Sequence, residues 1–376
     1  MTDTLQFVTI ASRKQTESEI YSFLQQGVKF MKTRNKTLDM VKAICAYSVV
    51  LLHIRFPGTA GNIANVLARF AVPVFFMVSG YFCYRGDDTE FIRTGKKIRH
   101  VLTLILVAFP VCAMWELIQN YIDGDSQIKW LKSLVSEEHI RQFLLYNNSS
   151  PVKWHLWFLP ALLYCYLMFA AVSRFRLYRL AYILIPVLLL LHFAMEEFSP
   201  YLGEHFRVMQ FRNYLFTGFP FFMAGHLIHK YEQQIHKWFF GRREVFLYGM
   251  VAAGAISSVI EFRYLGKQEL LLGSVFMAAG LFLIAIVKQD AKVPEILATV
   301  GQKHAFFIYL FHLCAADILK DVFRAAELNK GTVYLWTKPV MVCVLVTVAA
   351  VIYSRIFDYL HTNIRLTVQG VKKSCS

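Results

Sequence analysis

Two basic side chains stand inside one apolar run, LDMVKAICAYSVVLLH, which covers residues 38–53. Lys42 and His53 are eleven residues apart. At about 100° per residue that spacing returns to within roughly 20° of one helical face, about 16 Å further along the axis. An ionisable group at membrane depth is costly unless it faces a polar cavity or a partner, so the pair marks a functional interior. An imidazole in such a place can take and return a proton, because its charge changes near neutral pH. The competing readings are that Lys42 snorkels to the inner interface and that His53 is an interfacial histidine. Arg55, about 200° from His53 around the helix, reads as an outer anchor.

Further along, RFAVPVFFMVSGYF (69–82) combines Arg69 with Pro73, Ser79 and Gly80. Proline bends a membrane helix and frees a carbonyl, while serine and glycine allow close packing. KWHLWF (153–158) supplies His155 and Trp157 beside Trp154; it reads either as an aromatic belt at the outer interface or as a face on which a sugar could stack.

These residues need a bundle to hold them. The chain has 376 residues, 56% hydrophobic and 17% charged, more apolar surface than a soluble core uses. Apolar segments of about 17 to 22 residues recur, the length a helix needs to cross about 30 Å of hydrocarbon. About ten fit, near 38–56, 67–84, 101–121, 155–173, 180–195, 214–229, 245–262, 270–287, 304–320 and 338–354. The expected fold is therefore an all-α, polytopic integral membrane protein. GMVAAGAISS (249–258) carries small residues suited to close helix approach.

The net charge of +15 is spread in short clusters between apolar runs, which suits topology rather than nucleic acid. Arg85, Arg93, Lys96, Lys97 and Arg99, then Arg174, Arg176 and Arg179, then Lys230, Lys237, Arg242 and Arg243 fall on alternate connections. The positive-inside bias then puts both termini in the cytoplasm. Residues 1–37 read as a cytoplasmic tail with an interfacial helix, 38–354 as the transmembrane domain, and 355–376 as a basic cytoplasmic tail. The connection 122–153 is the longest outside segment, with IKWLKSLV as a short amphipathic helix within it. Seven cysteines show no metal-ligand spacing, and no bound metal is expected.

The order LDMVKAICAYSVVLLH, RFAVPVFFMVSGYF, KWHLWFLPALLY, FPFFMAGHLI, GQKHAFFIYLFH resembles the membrane-bound acyltransferase 3 family from about residue 38 to 354. That resemblance implies a ten- or eleven-helix protein that O-acylates sugars of surface polysaccharides, peptidoglycan or lipid-linked glycans. The family pattern in the first helix, acidic, basic, then histidine, falls on Asp39, Lys42 and His53; arginine followed by glycine is common at the basic position, where this chain has Lys42 and Ala43. Lysine keeps the charge without the bidentate fork.

Acyl transfer from a thioester to a sugar hydroxyl needs a base, and His53 is the candidate. Acetyl-coenzyme A is the implied donor substrate, with no permanently bound cofactor. Its phosphates would meet Lys96, Lys97 and Arg99, with Arg174, Arg176 and Arg179 as further candidates. Arg69 and Ser79 are candidates for stabilising the oxyanion; His304 belongs to the last motif, and His155, Trp157, Tyr309 and His312 would wall the cavity. The implied partners are a glycan acceptor, acyl-CoA and the lipid bilayer, and the implied location is the plasma (cytoplasmic) membrane of a bacterium. A transporter or ligand-binding membrane domain without covalent chemistry is the competing class. The lack of a repeated half weighs against it.

Overall fold

A computed structural model describes residues 34–87, 89–198, 203, 205–239, 241–289 and 291–374, without the side chains of Arg242 and 360–374. The interfacial helix expected before residue 34 lies outside the described residues. The described residues from Lys36 onward form one compact unit, and they contain helices, turns and loops with no strand.

Every apolar segment read from the sequence is helical. Helix α1 is Lys36–His53; α2 (Gly58–Leu67) runs through a tight 3-10 turn, Ala68–Phe70, into α3 (Ala71–Tyr81). Helix α4 is Glu90–Asp123, followed by the short α5 (Gln127–Leu134) and α6 (Glu137–Tyr146). A 3-10 turn, Trp154–Trp157, opens α7 (Phe158–Arg174), and α8 (Tyr178–Phe193) ends in a wide π turn, Ala194–Phe198. After the short α9 (Val208–Phe211), a second π turn, Tyr214–Gly218, leads into α10 (Phe219–Lys230). Then come α11 (Glu232–Trp238), α12 (Val245–Leu265), α13 (Leu272–Val287) and α14 (Glu295–Thr299). A third π turn, Val300–His304, precedes α15 (Ala305–Ala325), and α16 (Thr332–Ser374) closes the chain.

Among the described residues, six helices are long and apolar enough to cross a membrane by length and composition: Gly58–Tyr81, Glu90–Asp123, Trp154–Arg174, Tyr178–Glu197, Val245–Leu265 and Thr332–Tyr359. Large apolar side chains point outward on them, among them Leu106, Met114, Ile183, Leu190, Ile256 and Val344. So much bare hydrocarbon on the outside of a helical bundle is what a lipid-facing belt requires. The protein is an all-α, polytopic membrane protein.

Two element ends differ from the sequence expectation. The second span begins at Gly58, not near 67, because the mixed stretch GTAGNIANVL is helical although it is not uniformly apolar. The tightened turn at Ala68–Phe70 sits just before Pro73, whose missing N–H leaves the carbonyl of Arg69 without its helical donor. At the other end, α16 continues past 354 to Ser374. IKWLKSLV is helical through Leu134, in α5, with Val135 as its C-cap, and Ser126 caps its start by accepting from the Lys129 N–H.

At the centre, α3 crosses α10 at backbone contact. A Cβ at Gly80 would overlap the Phe222 carbonyl, and one at Gly225 would overlap that of Met77. Phe76, Met77, Phe169, Phe222 and Phe282 fill the space around this crossing. Helix α1 leans on the other side against α15 and α16 through Ala43, Ala46, Val50, Ile308, Val342 and Val346. The small-residue stretch of α12 meets α13 in the same way: a Cβ on Gly273 would overlap Gly254 O and Ser258 N. Glu261 ties the pair by accepting from Leu272 N and Gly273 N, a carboxylate on a helix N-terminus. Because the obstructing atoms are backbone, Gly273→Ala must push the helices apart. A loss of about 1–3 kcal/mol is expected, read as a lower thermal unfolding midpoint in detergent; an unchanged midpoint would mean that the two helices are not in backbone contact.

Candidate active site

Helix α1 ends at His53, just before Pro57, and its last carbonyls need donors. Asn65 on α2, almost wholly buried, supplies them: its Nδ2 donates to Leu52 O at 2.9 Å and to Leu51 O at 3.4 Å. Asn65 Oδ1 in turn accepts from Arg69 at 3.4 Å. The end of α1, and with it the half-buried His53, is thereby tied to the arginine in the 3-10 turn within the second span.

Three imidazoles meet here from three parts of the chain. The His53 ring lies nearly parallel to that of His312 with centroids 5.0 Å apart, 6.1 Å from that of His155, and edge-on to Trp154 at 4.4 Å. His155 and His312 are 4.9 Å apart, and both are buried.

Their hydrogen bonds fix which nitrogen carries the proton. His312 Nδ1 faces the carbonyls of Tyr309 at 2.8 Å and Ile308 at 3.2 Å. A carbonyl can only accept, so Nδ1 donates and the buried Nε2, which has no hydrogen-bond partner, is left with a bare lone pair. His155 is the mirror case: Nε2 donates to Leu310 O at 3.2 Å, and the buried Nδ1 has no partner. His53 Nδ1 is also buried without a partner. Tyr309 donates its hydroxyl to His155 O at 3.1 Å and stands edge-on to that ring.

The turn that carries His155 is anchored by charge. Lys153 Nζ sits 2.6 Å from Glu116 Oε2 on α4 and 3.0 Å from Asp317 Oδ2 on α15, and Trp115 Nε1 donates to the same Asp317 oxygen at 3.1 Å. A half-buried lysine with two carboxylates holds the His155 turn against the helix that bears His312.

A cavity of about 320 Å³ opens beside His53. Trp157, Arg69, Arg212, His192, Lys267 and Glu269 line it. Glu269 Oε2 lies 2.9 Å from Arg69 Nη1 and 3.0 Å from Arg212 Nη1. The Arg212 guanidinium lies over the rings of Trp157 and Trp154, at 5.5 and 5.8 Å. Glu196 fixes the Glu269 segment by accepting from the backbone N–H groups of Glu269 and Leu270, while its Oε2 meets His192 Nε2 at 3.2 Å.

The remaining predicted residues lie elsewhere. Asp39 and Lys42 form an ion pair at 2.8 Å, fourteen and eleven residues down α1 from His53. Ser79 Oγ donates to Phe75 O at 2.9 Å within its own helix. Lys96 and Arg99 are exposed on the first turns of α4, and Lys97 Nζ donates to Phe82 O at 2.9 Å. His304 is buried in the π turn before α15. A second cavity, about 760 Å³, lies among the loops that join α3 to α4 and α7 to α8 and the end of α10. Arg174, Arg176, Lys230, Tyr84, Tyr178 and Tyr182 are on its wall. Its floor is built on Glu90, whose Oε2 accepts from Tyr178 at 2.7 Å and lies 3.6 Å from His226 Nε2.

A family model for an acyltransferase domain matches residues 35–355. The chain belongs to the acyltransferase 3 family. Neither a curated protein nor a solved structure matches it. Within this acyltransferase 3 chain, the match spans both cavities and all three imidazoles. Sequence reasoning anticipated His53, His155, His312, Tyr309, Trp157 and Arg69, which the fold gathers at one end of the bundle. It singled out none of Arg212, His192, Lys267 and Glu269. Their signal is faint: Arg212 stands alone in VMQFRNYLF, and Glu269 directly precedes LLLGSVF. A single charge hard against an apolar run is the sort that folds inward with a partner.

Proposed function

We propose that the protein is an O-acyltransferase that moves an acetyl group from acetyl-coenzyme A to a hydroxyl of a cell-surface or lipid-linked glycan. The observation that carries this reading is the cluster of His53, His155 and His312, in which two imidazoles hold fixed tautomers with bare, buried nitrogens beside a cavity. A neutral imidazole with an open lone pair in a place shielded from water is a ready general base. The acceptor hydroxyl gives its proton to His53, the imidazole of the cluster that borders the cavity, as its oxygen attacks the thioester carbonyl. The new C–O bond forms, the tetrahedral intermediate collapses with cleavage of the C–S bond, and the proton passes to the departing thiolate.

Negative charge on the intermediate oxygen needs a donor, and Arg69, buried on the wall of the cavity beside His53, is the cationic group suited to it. The two cavities divide the substrates. With both termini in the cytoplasm, the larger cavity faces the compartment where coenzyme A is made, and Arg174, Arg176 and Lys230 give it charge for phosphates and tyrosines for the adenine. The smaller cavity beside His53 faces outward and takes the acceptor. On this reading the protein works in the plasma membrane of a bacterium.

The test is a transfer assay with purified protein in lipid nanodiscs, radiolabelled acetyl-coenzyme A and a panel of glycans. Label appearing on a glycan together with free coenzyme A supports the reading. Label that stays on coenzyme A with every acceptor, while a sugar still binds or crosses the membrane, rejects it in favour of transport or simple binding.

A further inference from the structure

The cavity beside His53 has an unbalanced wall. Arg55, Arg69, Arg212 and Lys267 line it, and among the described residues Glu269 is the single carboxylate facing them. Glu269 is shared between Arg69 and Arg212, and Glu196 nearby is committed to two backbone N–H groups and His192. Arg55 and Lys267 stand exposed at the rim, and neither is ion-paired among the described residues. Deeper in, the Nε–H groups of Arg69 and Arg212 are buried with no acceptor, and Arg69 is only 7% exposed.

A guanidinium buried with an unused donor is costly, and the cost is removed by an oxyanion that enters the cavity. Tryptophan faces beside these groups suit the apolar face of a sugar ring, although Arg212 already covers part of them. A hydroxyl of a neutral sugar could accept from one Nε–H. It would leave the net positive charge of the wall uncompensated, and a cleft of one sign concentrates ligands of the other.

We infer that the acceptor is an anionic glycan, one that carries a carboxylate or a phosphate close to the hydroxyl to be acylated. The anion sits between Arg69 and Arg212, Lys267 and Arg55 draw it in from the rim, and the sugar is thereby presented to the imidazole cluster. This specificity rests on the acyltransferase reading for its purpose, but binding can be measured without any donor present.

Three probes separate the sources of negative charge: a neutral hexose oligosaccharide, the same oligosaccharide oxidised at C6 to the uronate, and the same oligosaccharide bearing a 6-phosphate. Binding to the protein in nanodiscs is followed by quenching of tryptophan fluorescence, at low and high salt. At least one anionic probe is expected to bind about tenfold tighter than the neutral one, as charge-assisted hydrogen bonds are about twice as strong as neutral ones. That advantage should shrink with added salt and in the double variant Arg55→Gln with Lys267→Gln, which alters only exposed groups. Tighter uronate binding assigns a carboxylate sugar, and tighter phosphate binding assigns a phosphorylated one. Equal or weaker binding of both anionic probes, or a preference indifferent to salt, overturns the inference. If an anionic probe binds as expected but never receives label from acetyl-coenzyme A, the anion site stands and the acyltransferase assignment falls. If only the neutral oligosaccharide is acylated, the enzyme stands and the anionic preference falls.

Discussion

Substitution of His312 by alanine is expected to lower acyl transfer by about 10²- to 10⁴-fold, the range supplied by one positioned acid–base group. The expectation comes from the way the ring is held. Its Nδ1 proton is committed to the carbonyls of Ile308 and Tyr309, one turn back on the same helix, so the ring can present only Nε2 to the cluster. His53 lies against that ring with its own Nδ1 buried and unpaired, and it borders the cavity that His312 does not line. On the proposed mechanism His53, which borders the cavity, meets the acceptor, and His312, stacked on its ring with an open Nε2, acts beside it.

If the two act as one unit, the double variant His53→Ala with His312→Ala should be hardly worse than either single variant, as is usual for residues that work together. Coenzyme A release and labelled product are the readouts for all three proteins. Effects that multiply in the double variant would mean two independent roles. A His312→Ala protein that loses its thermal midpoint but keeps its rate would make the residue structural. Glycan binding, measured by tryptophan quenching without donor, should survive in His312→Ala because that ring does not line the cavity beside His53.

The reach of the sequence follows from how local each relation is. Lys42 and Asp39 pair three residues apart on one helix, and the face that His53 shares with Lys42 is set by helical period alone. The apolar runs were legible for the same reason, since each helix is recorded in its own composition. The relation between His155 and His312 spans 157 residues, and neither motif names the other without the family resemblance. Arg69 meets Glu269 only because the 3-10 turn after α2 and the α12–α13 connection fold to the same end of the bundle. Polar residues between spans have one appearance in sequence whether they remain in water or close over a cavity. Lys96, Lys97 and Arg99 show the converse. They are conspicuous as a cluster, yet the larger cavity is lined instead by Arg174, Arg176 and Lys230 from other connections.

Glu269→Gln should have the largest effect on the acceptor end of the bundle, and its outcome depends on what is bound. The carboxylate is the shared partner of two guanidiniums, one of them almost wholly buried. Glutamine keeps the shape but removes the charge, leaving Arg69 and Arg212 to repel one another with desolvation uncompensated. Breaking a buried pair from one side costs about 3–5 kcal/mol, and the partial exposure of Glu269 places this case at or below the lower end. A clear fall in thermal midpoint is expected in the absence of ligand. Because Arg69 also holds Asn65, which holds the end of α1, the loss should reach His53 and slow transfer as well. An anionic glycan would restore the missing charge. Its stabilising effect on Glu269→Gln should therefore exceed its effect on the native protein, by mass action on the folded state. A purely structural role for Glu269 makes the opposite prediction, a protein equally weakened with or without the uronate or phosphate probe. The comparison of those two midpoint shifts separates a carboxylate that merely braces the fold from one that holds two arginines ready for an anion.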